Sequence, residues 1–146
     1  MEKQMPLGRE IHLTSSAIEC YISKNITGSD PAKLTGIEAM TLSFLFELKK
    51  PAMMRDVMDH FHIAKATASQ TLTNLERKGM IMQKSTEDDK RKKMIYLTED
   101  GKKIKESYDQ KFSVMNAIVE EGITDEEKEV FRKVVLKIRC NLGRDY

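Results

Sequence analysis

The chain has 146 residues, enough for one compact domain or one domain with helical extensions. Forty per cent apolar and 33% charged residues exclude a disordered tail, a collagen-like fibre and a disulfide knot. Twenty-five basic against 23 acidic side chains leave a formal charge of only +2, so any electrostatic function has to lie in how the charges are arranged.

In chain order, Leu7, Ile11, Ile18, Ile22 and Ile26 form a helical series that predicts one long helix from about residue 7 to 27. Gly28-Ser29-Asp30-Pro31 should break it. Thr35-Gly36-Ile37-Glu38 reads as a capping box, in which the Thr oxygen accepts from the amide three residues on and Glu38 reaches back. The helix it opens is apolar nearly all round (Ile37, Met40, Phe44, Leu45 and Leu48, with Leu42 and Phe46 behind them). It should therefore be buried and central, and stopped by Pro51.

Met54, Val57, Met58 and Phe61 mark a short helix, roughly 53–60. A turn through Phe61-His62-Ile63 leads to another helix, about 65–78, ended by Gly79 as a left-handed cap. That helix should bury Ala68, Leu72 and Leu75. Lys65, Thr67, Ser69, Gln70, Thr73, Asn74 and Arg77 should face outward. Two short helices joined by a three-residue turn make a helix-turn-helix.

The apolar period then changes from 3.6 to about 2. Met80 to Lys84 and Lys93 to Leu97 read as two strands joined by a loop over 85–92. A hairpin behind a helix-turn-helix is a wing. Thr98 can cap a long helix carrying Ile104, Tyr108, Phe112, Met115 and Val119. Gly122 should end it, and Thr124-Asp125-Glu126-Glu127 is a second capping box before a last helix with Phe131, Val134, Val135, Ile138 and Leu142. The expected order is α-α-α-α-β-β-α-α.

The near-neutral total conceals an uneven distribution. From His62 to Lys93, eight bases face four acids, a net +4; from Glu99 to Glu127, four bases face nine acids, a net −5. A basic loop alone is usually a solvated surface. Behind a helix-turn-helix it is a phosphate-seeking surface.

At these residues the chain resembles the MarR family of transcription regulators. The resemblance spans roughly residues 7–142. It is carried by the run from Ile63-Ala64-Lys65 to Arg77-Lys78-Gly79 and by Asp89-Lys90-Arg91 followed by Leu97-Thr98-Glu99-Asp100-Gly101, the D-x-R and L-T-x-x-G pattern of the wing. The resemblance implies a mainly α fold with a small β-hairpin wing: residues 35–98 form a winged helix-turn-helix, and helices in 1–34 and 99–146 form a dimerisation region. It implies a homodimer, double-stranded DNA as partner, a pseudo-palindromic operator, and a ligand-responsive repressor. The DNA-binding residues it points to are Lys65, Thr67, Ser69, Gln70, Thr73 and Asn74 on the second helix, with Asp89, Lys90, Arg91 and Lys92 on the wing. Arg91 is the minor-groove probe and Asp89 holds the wing in shape.

The chain departs from the family where Ala64 replaces a capping Ser and where Gln70 and Asn74 replace frequent Arg residues. Glutamine and asparagine pair bidentately with adenine, so an operator containing A·T steps is expected. By resemblance a small-molecule effector would meet Tyr21, Met40, Phe44 and Phe112, residues that otherwise read as core filling.

Asp59-His60-Phe61-His62 has no cysteine nearby and does not place its side chains on one helix face, so no metal site and no cofactor are expected. Cys20 lies on the first helix, as in peroxide-sensing relatives, but the tyrosine pair those relatives supply has no counterpart around Ile37. A redox- or metal-responsive regulator and a winged-helix protein-interaction module remain the alternatives. No catalytic constellation is present, so an enzyme is not expected. Met1–Pro6 lacks the apolar core and cleavage site of a secretory signal, no run of about 18 apolar residues occurs, and Cys20 and Cys140 stand far apart. A cytoplasmic protein without a disulfide framework or a membrane span is expected.

Overall fold

The structure, a computed structural model, describes residues 4–28 and 30–143. The order of elements is the expected one. Helix α1 (Leu7–Ile22) runs into a π-helical turn (Ser23–Thr27). It is followed by α2 (Gly36–Leu48), α3 (Met54–Phe61), α4 (Lys65–Arg77), strands β1 (Ile81–Ser85) and β2 (Lys93–Leu97), α5 (Glu99–Glu120) and α6 (Asp125–Asn141). The chain divides into two compact units at Phe112/Ser113.

The core of the first unit follows the predicted apolar periods in α3, α4 and the hairpin. In α2, expected to be buried nearly all round, the buried side is that of Ala39, Leu42 and Leu45, and Met40 is 43% exposed. Leu42, Val57, Ala68, Leu72, Leu75, Ile81 and Ile95 are all buried, and α2 contacts both α4 and β2. The Thr35 capping box forms: Thr35 Oγ1 accepts from the Glu38 amide at 3.4 Å, and Glu38 Oε2 accepts from the Thr35 amide at 3.0 Å. Helix α2 stops at Leu48 because Lys49 turns left-handed, two residues before Pro51. The second capping box also forms, between Thr124 and Glu127 at 3.2 and 2.8 Å.

Three local differences from the sequence reading have physical causes. The end of the first long helix is π-helical, and Lys111 Nζ donates to the Ile26 carbonyl at 3.2 Å, satisfying an acceptor at the helix end. Strand β1 starts at Ile81 and not at Met80. The Met80 amide is committed to closing α4, donating to the Leu75 carbonyl at 2.9 Å, while Gly79, at φ +76°, donates to Glu76.

The third difference is an extra sheet partner. Ala52 exchanges both backbone hydrogen bonds with Ile95, at 3.3 and 2.7 Å, and so lies as a one-residue strand beside β2. Strands β1 and β2 pair antiparallel with Met82 opposite Tyr96 and Gln83 opposite Ile95. Ile81 and Ile95 face the core, whereas Met82 and Tyr96 face outward.

The wing is joined to α5 through the Leu97-Thr98-x-x-Gly101 segment. Thr98 Oγ1 donates to the Gly79 carbonyl at 2.6 Å and accepts from the Gly101 amide at 3.1 Å, which caps α5. The Thr98 amide donates to the Met80 carbonyl at 3.1 Å. Gly101 sits so close to the Met80 backbone that a Cβ there would overlap that same carbonyl oxygen.

In the second unit, α6 has no buried residue. Phe131 is 64% exposed and Leu142 75%. No helix among the described residues is long and apolar enough to cross a membrane.

Candidate nucleic-acid interface

Helix α4 presents one face to the core through Ala68, Thr71, Leu72 and Leu75. At 3.6 residues per turn the opposite face is built from Gln70, Thr73 and Arg77, flanked by Thr67 and Asn74 on one side and Lys65 and Ser69 on the other. Lys65, Thr67, Ser69, Gln70, Thr73 and Arg77 are exposed, and Asn74 is half-buried. The expected outward set is thus brought together on one surface. Ala64 caps α4 without a side-chain hydrogen bond, leaving first-turn amides available to an external acceptor.

The side chains on this face are ordered by one another. Gln70 Nε2 donates to Asn74 Oδ1 at 3.0 Å, and Arg77 Nη2 donates to the same oxygen at 3.3 Å. Gln83 on β1 donates to Glu76 Oε2 at 2.8 Å, which ties the far side of α4 to the hairpin.

Lys78 does not join the basic surface, although it counts toward the charge of this stretch. Its Nζ donates to Glu38 Oε2 at 2.6 Å and to the Lys33 carbonyl at 2.9 Å. The Glu38 side chain is 2% exposed, so its charge is compensated chiefly by this lysine together with the capping bond to Thr35. Lys78→Met should therefore leave a carboxylate buried without its counter-charge. The expected cost is about 2–4 kcal/mol, below the range for a fully buried pair because Lys78 reaches some water. Urea unfolding measures it, and a midpoint equal to that of the wild type refutes the role.

The wing tip is held by backbone and side-chain bonds. Thr86 Oγ1 donates to the Asp89 carbonyl at 2.9 Å and accepts from the Asp89 amide at 3.2 Å. Asp89 Oδ1 accepts from the Arg91 amide at 2.9 Å, and the Asp89 carbonyl accepts from the Lys92 amide at 3.0 Å. Asp89 is half-buried and spends its carboxylate within the turn, while Lys90, Arg91 and Lys92 remain exposed. The surface of α4 and the hairpin therefore displays Lys65, Arg77, Lys84, Lys90, Arg91, Lys92 and Lys93. Arg77 and Lys84 were not among the contact residues expected from the sequence. The signal for Arg77 was available, since it stands at i+7 from Gln70 on the outward face.

The four effector candidates have different surroundings. Phe44 stacks on His60 at 4.0 Å between ring centroids and meets Phe61 edge-on at 5.8 Å. Phe112 meets Tyr108 edge-on at 6.5 Å. Tyr21 is half-buried and Met40 is 43% exposed. Tyr108 itself is fully buried. Its hydroxyl meets no partner at good hydrogen-bonding geometry, yet burial first, and the neighbouring Asp30 carboxylate second, push its pKa well above the ordinary phenol value.

The Asp59-His60-Phe61-His62 segment turns to structural work. Asp59 faces Arg55 at 3.8 Å, His60 packs on Phe44, and His62 occupies a left-handed turn position at φ +51°. Among the described residues no three His, Cys, Asp or Glu side chains are grouped to hold a metal ion. Cys20 and Cys140 are exposed free thiols.

Comparison with known proteins agrees with this geometry. A family profile described as "Transcriptional regulator SarA/Rot" matches residues 26–108, the segment from the π-turn through the wing into α5. The uncharacterized HTH-type transcriptional regulator YybA of Bacillus subtilis (strain 168) is 26% identical over 139 residues, covering 94% of this chain and 89% of its own. Among solved structures, MepR of S. aureus in its DNA complex superposes with a TM-score of 0.84 at 22% identity, covering 94% of this chain and 99% of that one. MarR superposes with a TM-score of 0.73 at 19% identity, covering 99% and 95%. These two structures share the fold. With a family match over more than half its length, joined to a winged head and an ordered recognition helix, the chain belongs to the SarA/Rot family of transcriptional regulators and has the winged-helix fold of MarR-type regulators.

Proposed function

We propose that the protein is a homodimeric repressor that binds a pseudo-palindromic operator in double-stranded DNA and is released by a small-molecule effector. The observation that carries this reading is the pairing of an exposed polar face on α4 with a hydrogen-bonded wing tip bearing Lys90, Arg91 and Lys92. In this reading Lys65, Thr67, Ser69, Gln70, Thr73 and Asn74 meet the major groove and its phosphates. Arg91 enters the minor groove, where negative potential is concentrated and a weakly hydrated guanidinium fits, and Asp89 keeps the tip in shape. Lys90 and Lys92 neutralise backbone charge.

The twofold partner is a second copy of the chain. Residues 35–98 form the reading head, and helices in 1–34 and 99–146 form the dimerisation region. The support is exposed apolar surface: Leu7 and Leu13 on α1, Val114 and Ile118 on α5, and Phe131 and Leu136 on α6. Two heads on such a dimer meet half-sites about 34–36 Å apart or a multiple of that. Tyr21, Met40, Phe44 and Phe112 are the proposed effector contacts, apolar and aromatic side chains that are only partly covered. The proposed location is the cytoplasm.

Arg91→Ala tests the reading. Operator affinity should fall about tenfold or more at low salt, and the slope of log affinity against log salt should decrease by about one unit for each head. An isotherm unchanged across several salt concentrations refutes the role of Arg91. Promoter fragments that migrate unaltered with the wild-type protein at low salt would favour a protein-docking module instead.

A further inference from the structure

The array on α4 determines which hydrogen-bonding groups are left to meet a base. Gln70, Asn74 and Arg77 stand at i, i+4 and i+7, so they share one strip of the helix. Both neighbours donate to Asn74 Oδ1, Gln70 at 3.0 Å and Arg77 at 3.3 Å. A guanidinium carries donors and no acceptor. The Asn74 atom that faces Arg77 must therefore be the oxygen, and an amide orientation that is ordinarily free to flip is set by its neighbour. With that oxygen in place, Gln70 has to turn its NH2 group toward Asn74.

The remaining valences differ between the two amides. Both lone pairs of Asn74 Oδ1 are engaged, so its outward offer is the Nδ2 group, which only donates. Gln70 keeps one N–H and its Oε1, a donor and an acceptor side by side. In the major groove adenine presents the N7 acceptor beside the N6 donor, which matches Gln70. Guanine presents N7 and O6 and thymine presents O4, all acceptors, which match Asn74. The amino groups of adenine and cytosine oppose a donor-only reader, which keeps only N7 at adenine and no acceptor at cytosine.

We propose that Arg77 is the positioning residue for base reading: it holds Asn74 as a donor-only reader of keto bases and, through Asn74, holds Gln70 as a reader of adenine. The proposal rests on α4 lying in the major groove, and it revises the sequence expectation that both amides read adenine. Without Arg77, the Asn74 amide regains both orientations and accepts either class of edge.

Selection from a randomised duplex library with the wild-type dimer, Arg77→Met and Arg77→Lys tests this. The wild type should discriminate keto from amino bases about tenfold or more at one position in each half-site, beside a preferred adenine. Arg77→Met keeps the aliphatic stem but loses the donor, so discrimination at the keto position should fall to within about twofold while the rest of the consensus persists. Arg77→Lys restores a donor and should restore the preference.

An unchanged consensus with uniformly weaker binding by Arg77→Met makes Arg77 a phosphate contact and overturns the proposal. If the wild type enriches no sequence at all, the DNA reading itself fails. Nuclear magnetic resonance of the side-chain amides in the free dimer separates the two failures. Arg77→Met should shift the Asn74 and Gln70 amide signals, and signals that stay in place overturn the array whatever the DNA result.

Discussion

Gly101→Ala is expected to destabilise the protein by about 2–3 kcal/mol, although the residue lies in the first turn of a helix, where alanine is normally the better choice by up to about 1 kcal/mol. The sign of the effect decides between two pictures. In open space the substitution would raise the unfolding midpoint. Here the new Cβ would overlap the Met80 carbonyl oxygen and stand 3.1 Å from its carbon. That carbonyl cannot retreat freely, because it accepts from the Thr98 amide at 3.1 Å, and the Thr98 hydroxyl holds the adjacent Gly79 carbonyl at 2.6 Å. Relief requires moving the wing away from α5 or breaking the α5 cap. Thermal unfolding at matched protein concentration should show a midpoint lower by several degrees. A midpoint at or above the wild-type value would rule out the close approach. The Leu97-Thr98-x-x-Gly101 pattern thus has a mechanical meaning: a hydroxyl that joins two chain segments and a glycine that lets them touch.

Phe131→Glu should convert the proposed dimer to a monomer. Phe131 is 64% exposed in the single chain and shares α6 with Val130 at 59% and Leu136 at 49%, in a helix without one buried residue. Covering an aromatic side chain contributes about 1.5–3 kcal/mol, and a twofold interface counts each such group twice. A carboxylate in the same place loses that gain and must also be desolvated opposite apolar surface. Sedimentation should then report a lone subunit. Operator affinity should drop about 10²- to 10⁴-fold, because the second head no longer binds at the effective concentration set by the first. A mass that stays dimeric removes α6 from the interface, and a monomer that retains full operator affinity removes the need for two heads.

Much of the fold was legible because its determinants are local. Both capping boxes, at Thr35 and Thr124, involve bonds within four residues, and both form as written in the sequence. The apolar periods reported which sides of α4 and β2 face inward, since a helix or strand that hides its apolar stripe has few alternatives. Helix α2, apolar nearly all round, carried no such signal, and packing buried its Ala39, Leu42 and Leu45 side while leaving Met40 exposed. Gly79 and Gly122 both adopt the left-handed conformation that their places at helix ends require. The wing signature pointed to the hairpin, and Asp89 bonds the Arg91 amide within the tip.

What tertiary structure alone decided involves partners distant in sequence or competition for one backbone group. Ala52 bridges Ile95 as a single residue, and a single residue has no period to detect. Lys78 is withdrawn from the basic surface by Glu38, 40 positions earlier, because a buried carboxylate attracts the nearest cation more strongly than water holds it. The amide of Met80 could have joined the strand, but the end of α4 claims it first. The amide orientation of Asn74 is a separate case, local to α4: spacing brings Gln70 and Arg77 beside it but does not say that both donate to its oxygen. Composition and spacing determine which residues share a face; only packing determines which of their polar groups are already engaged and which remain free to bind.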